Sequence, residues 1–162
     1  MQTTLNKMRA CEPCAESWQK YLRHVGKTQP DDKPIEMSEI LAALGLEDAV
    51  WSLRGFDGAG EEAVRKYAVF CARQMWDDLT DDRSRMAIAE ADNYAHGEVS
   101  REVMIAARNE AMQALNGDAS EAAEACARVD AFDAAWSAVV LAAKHVPTDV
   151  LTQEFERVFC ND

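Results

Sequence analysis

Between Glu61 and Leu79 the apolar residues fall at Val64, Tyr67, Ala68, Cys71, Met75 and Leu79. Steps of three and four place them on one face of a helix and fit no strand. The same period recurs on both sides. Trp18, Tyr21, Leu22 and Val25 form a stripe that stops at Gly26, and Ile88, Ala91 and Ala95 form one that stops at Gly97. No stretch of four or more residues alternates in a strand-like way with turn residues on both sides. Seven glycines and four prolines in 162 residues are too few for a turn-rich β sandwich, and 48% hydrophobic residues suffice for a core. The expectation is an all-α fold. Residues 1–162 should form a compact single-domain helical bundle of about six to eight helices, with an alanine-rich C-terminal half.

Punctuation sets the expected boundaries. Leu5 to Arg9 reads as a short turn, and Pro13 suits the start of the Trp18 helix. Lys27 to Pro34, with two prolines and two adjacent aspartates, is a loop. Helices are expected over Ile35–Leu44 and Leu46–Leu53, then a Gly-rich connection over 55–60. After the long Glu61 helix, Thr80-Asp81-Asp82 is a break with a good cap, and Ser100 can cap a helix reaching Leu115. That helix should bury Val103, Ala107, Ala111, Ala114 and Leu115. Asp118 with Glu121 resembles a capping box for one helix to Lys144, with Val129, Trp136 and Val140 on its apolar side. Thr148 should cap the last helix.

Seventeen basic and 29 acidic residues give a net charge of −12, which disfavours direct nucleic-acid binding. The charge is uneven: +2 over residues 1–26, −6 over 27–62, −1 over 63–101 and −7 over 102–162. The bland consequence is solubility; the sharper one is an acidic face for a basic partner. No run of about 18 apolar residues suggests a membrane span. The opening Met1 to Lys7 has no apolar core of a secretory signal. With Cys11, Cys14, Cys71, Cys126 and Cys160 forming an odd set, a cytoplasmic setting and free thiols are expected.

Chemical motifs are few. Cys11-Glu12-Pro13-Cys14 has the spacing of a redox or metal-binding pair, in which a helix N-terminus would lower the first thiol's pKa. It lacks the preceding strand and second ligand pair that such roles need, so Cys11 and Cys14 are weak candidates and no cofactor is expected. Gly55, Gly58 and Gly60 lack the Lys-Ser/Thr of a phosphate loop. Asp77, Asp78, Asp81 and Asp82 lack the spacing of a calcium loop and read as capping and solvation. No catalytic constellation stands out. All four tryptophans fall in helical stripes and read by default as core, although Trp51 beside Arg54 and Trp76 beside Arg73 would anchor a partner if exposed.

Certain stretches carry a family likeness. These are Ile40-Leu41, the run Gly45 to Arg54, the run Tyr67 to Gln74, Asp82-Arg83-Ser84, Ala89-Glu90 and Ala95-His96-Gly97. Pro13-Cys14, Trp18 and Gly26-Lys27-Thr28 join them. Together they resemble a family of small helical proteins of bacteria and bacteriophages, often labelled immunity proteins and carried in many cases by phages or prophages. The resemblance spans roughly residues 7–115. The tail departs from it, because Asp118, Glu121, Glu124, Asp130 and Asp133 interrupt the alanines. The resemblance implies a helical, cytoplasmic, non-enzymatic protein that binds another protein, and it supplies no catalytic residues.

The leading expectation is therefore a phage-type accessory protein that blocks a host protein or toxin with a basic surface. The acidic segments 27–62 and 118–133 are its candidate faces. The candidate contacts are Trp51, Arg54, Asp57, Arg73, Asp81, Asp82, Glu121 and Glu124. Two rivals are a thiol-redox or metal protein using Cys11 and Cys14, and a self-associating module that pairs an exposed alanine face in a homodimer.

Overall fold

Helix ends follow local chemistry at most of the expected places. Gly26 and Gly97 adopt positive φ, and the next amide closes back onto the helix: Lys27 N–H donates to Leu22 O and Glu98 N–H to Asn93 O, both at 2.9 Å. Asp81 caps its helix by accepting the Arg83 amide at 2.9 Å. In the computed structural model of the protein, which describes residues 1–160, these signals delimit an all-α fold.

The described residues hold ten helices, more than the six to eight expected. They are α1 (Leu5–Ala10), α2 (Ala15–His24), α3 (Met37–Leu44), α4 (Leu46–Ser52), α5 (Glu61–Arg73), α6 (Asp82–Ala95), α7 (Arg101–Met112), α8 (Asp118–Cys126), α9 (Ala131–Ala142) and α10 (Thr148–Phe159). The excess has two sources. Leu5 onward is a true helix, capped by Thr4 and burying Leu5 and Met8. The helix expected from Asp118 to Lys144 is two helices, because the chain breaks between Cys126 and Ala131. Two-residue strands add a small antiparallel pair, with Gln2 opposite Glu36 and Thr3 opposite Ile35.

Three expected helix starts differ. Pro13, expected at the start of α2, lies just before it, and Cys14 is the N-cap, its sulfur accepting the Ser17 amide. Gly117 precedes α8, so Asp118 lies inside the first turn and forms no capping box; the Ser120 hydroxyl receives the Asn116 amide instead. Thr148 is the first residue of α10 and not its cap.

The chain divides into two compact units: Met1–Ala59 with the stretch from Phe155, and Gly60–Glu154. The first has short helices around large side chains, with Leu5, Tyr21, Ile40, Val50, Leu53 and Phe155 out of solvent. Asn6 N–H donates to Asp31 O and Met37 N–H to Met1 O, fixing the start of the chain against the 27–34 loop and the start of α3. The second packs α5 and α8 against α9, and α6 against α7. Sixteen of its alanines are buried, against one in the first unit. Small residues let helix axes approach closely while keeping high helix propensity. Val103, Leu115, Val129 and Trp136 are exposed, contrary to their expected inward placement, because Met104, Ala111 and the alanines of α8 and α9 take the core. Among the described residues no helix is long and apolar enough to cross a membrane.

Candidate functional site

In the first unit one sequence candidate, Trp51, borders an apolar seam. Met8, Trp18, Tyr21, Leu44 and Trp51 line it, with Ser17 and Asp48 among the polar members. Its volume of about 10 Å³ is that of one water, so it is a packing seam and not a ligand pocket. Arg54 lies over the Trp51 ring at 4.9 Å and donates to Trp51 O, while Arg9 lies over Trp18 at 5.4 Å. Trp51 is thereby half-buried under an arginine instead of presented as a bare anchor. Asp57 is exposed and paired with Lys7.

The cysteine pair behaves opposite to expectation. Cys14 carries the lowered pKa, because the Ser17 hydroxyl and amide hydrogen-bond its sulfur. Ser17 in turn donates to Asp48 at 2.9 Å. Cys11 closes α1, points its thiol to Lys7 O, and has its pKa raised by burial. The two thiols thus serve different helices. Cys71 and Cys126 are buried, which pushes both up to about 12. Among the described residues no group of three or more His, Cys, Asp or Glu side chains is placed to hold a metal ion.

In the second unit the candidates separate into structural and exposed groups. Arg73 pairs with Asp92 at 2.7 Å. Asp81 is held by Arg83 through hydrogen bonds of 3.0 and 2.8 Å, which bring its pKa down to about 2. Asp82, beside it, is exposed and pairs with Arg85. Glu121 is exposed. Glu124 is not a surface contact: it is only 5% exposed. Its carboxylate accepts from Arg108 at 2.5 Å and from Arg128 at 3.1 Å, and Arg128 continues to the Ser137 hydroxyl. Two arginines compensate its burial, so it serves to hold α7, α8 and the following turn together.

Sequence reasoning missed Arg65. This side chain, 2% exposed, donates to Cys126 O at 2.9 Å and Val129 O at 3.0 Å, and lies over the Tyr94 ring. It takes carbonyls that a continuing helix would use, while Asp130 caps α9 through the Asp133 amide. This is the physical reason for the break between α8 and α9. The only hint in the sequence was a basic residue directly beside Val64 in the apolar stripe.

The turn between α5 and α6 is the other feature underrated in the sequence. Trp76 is 38% exposed and Met86 54% exposed, with exposed Asp77, Asp78 and Asp82 around them. Arg85 lies over the Trp76 ring at 5.9 Å. Asn116 donates to the Thr80 hydroxyl at 2.8 Å, joining the α7–α8 loop to this turn. Between them opens a hollow of about 560 Å³, lined by Met75, Asp78, Asn116, Asp118 and His145 among others. Asp118 accepts from His145 at 2.8 Å and Lys144 at 3.3 Å, which lowers its pKa.

No family model, curated protein or solved structure matches this chain.

Proposed function

We propose that this chain is a non-enzymatic accessory protein of phage or prophage type. In this reading it acts in the cytoplasm by binding a host protein, such as a defence component or a toxin, and covering that protein's basic surface. The supporting observation is the charge of the second unit. Residues 60–154 carry nine basic and eighteen acidic groups, net −9. Most of its cations are engaged locally: Arg65 is buried, Arg108 and Arg128 hold Glu124, Arg73 holds Asp92, and Arg83 and Arg85 hold Asp81 and Asp82. Asp77, Asp78, Glu98, Glu110 and Glu121 remain exposed. Such a field speeds association with a cationic partner and repels nucleic acid.

The geometry narrows the acidic segments chosen from sequence. Within 27–62, Asp31, Glu36, Glu39, Asp48 and Asp57 all accept from neighbours in their own unit. Within 118–133, Asp118, Glu124 and Asp130 are likewise engaged. The self-association rival draws less support, because Ala122, Ala123 and Ala125 of α8 and Ala131, Ala134, Ala135, Ala138 and Ala142 of α9 are buried.

The test is capture of partners from a bacterial lysate by the tagged chain at low and high salt, with identification by mass spectrometry. One dominant partner lost at high salt is the expected result. Failure to capture a partner from the lysate of a matched host would overturn the reading.

A further inference from the structure

The hollow between the α5–α6 turn and the α7–α8 loop has a character that net charge alone does not describe. Its base includes the buried Met75, and Asp78 contributes a carboxylate to its lining, while Asp118 there is already paired with His145 and Lys144. The Asn116–Thr80 hydrogen bond ties its two walls. At its margin the turn presents Trp76 and Met86, apolar and exposed, with Asp77 and Asp82 exposed beside them. Arg83 and Arg85 are already paired with Asp81 and Asp82, and Lys144 and His145 at the hollow are paired with Asp118. Asp77 and Asp78 therefore set the sign of the field there.

We propose that this hollow receives a lysine or arginine side chain of a protein partner, while an adjoining apolar residue of that partner packs on Trp76. The inference rests on the acidic-inhibitor reading and assigns it a place and a partner chemistry: a basic amphipathic helix. An acidic rim selects against phosphate-bearing ligands, and the exposed tryptophan favours a partner with an apolar face over a purely cationic chain. The long, unbranched stems of lysine and arginine suit a hollow with an apolar base and carboxylates in its lining.

The experiment uses the full chain and a synthetic peptide of about 18 residues, long enough to hold a helix when bound, with leucine on one face and lysine on the other. Backbone NMR shifts are followed during titration. The expected result is perturbation concentrated at residues 75–86 and 115–118. Combined Asp77→Asn, Asp78→Asn and Asp82→Asn should weaken binding about tenfold, and Trp76→Ala severalfold. Trp136→Ala, which removes a tryptophan of similar exposure from another helix, should leave binding unchanged. Shifts concentrated elsewhere, or equal binding by oligolysine, would overturn the proposal. The same triple variant in the lysate experiment separates the two readings: a salt-sensitive partner retained by it removes this site and leaves the broader proposal standing. If the wild-type chain captures no partner, the broader reading fails, and the peptide map still judges the hollow.

Discussion

The two units solve the problem of burial differently. The first fills its interior with leucine, isoleucine, valine, tyrosine and phenylalanine carried on short helices. The second fills its interior largely with alanine and supplements it with two buried polar devices, Arg65 and the Glu124 cluster. Alanine buries little area per residue, so less stabilisation comes from area and more from close helix approach. The lesson is that an alanine core depends on directional contacts to fix which helices meet, whereas a core of large side chains fixes this by shape.

That contrast can be broken at its strongest point. Glu124→Gln should destabilise the chain by about 3 kcal/mol, because Arg108 and Arg128 lose a shared buried counter-charge. Glu36→Gln, at an exposed pair in the first unit, should cost about 0.5 kcal/mol or less. Denaturant unfolding of both variants compares them, and equal costs would remove the distinction.

The next test exchanges volume. Ile40→Ala should cost about 2–5 kcal/mol by leaving a cavity. Ala135→Leu should cost about 1–3 kcal/mol by overpacking the second unit. A neutral Ala135→Leu would mean that the alanine layer is loosely packed.

Acid sharpens the comparison further. Glu62, Asp81, Glu102 and Asp118 in the second unit have pKa values lowered chiefly by hydrogen bonds, whereas among the described residues of the first unit only Asp31 has such a lowered carboxylate pKa. A carboxylate whose folded pKa lies below its unfolded value stabilises the fold above the unfolded value, and that contribution is lost as pH falls through the folded one. Asp81 drops from its ordinary value to about 2, so its contribution should fade from about pH 4 towards 2. Hydrogen exchange at stepped pH should show the start of α6 losing protection in that window, and Asp81→Asn should abolish the step.

The smallest effect is chemical. At neutral pH Cys14 should alkylate several times faster than Cys11, and Cys71 and Cys126 should stay silent until unfolding. Mass spectrometry of iodoacetamide-treated protein reads all four. Faster labelling of Cys11 would restore the order first read from the motif.

What could be read in advance was local. Asp81 caps α6, and Gly26 and Gly97 close their helices, because those signals act within a few residues. Glu124 could not be recognised as buried, since the arginines that neutralise it lie on different segments. Trp76 and Trp136 look like core residues in a periodic stripe, and whether another helix covers that side is a tertiary fact. Cys14 illustrates the same limit at short range: the spacing to Cys11 was visible, but Asp48, which anchors Ser17 beside it, comes from another helix.

The Arg65 clasp has a consequence in time. It joins residues 61 and 64 positions apart, so it closes a large loop and must await the docking of α5 on α8 and α9. Residues 118–142 hold neither glycine nor proline, and the local signal against one continuous helix there is the Asp130 cap of α9. A nascent chain should therefore hold only this local break at first, and the turn should become fixed when the arginine arrives. The fixing of that turn is a late event in the molecule's history, completed by a side chain made long before the segment it divides.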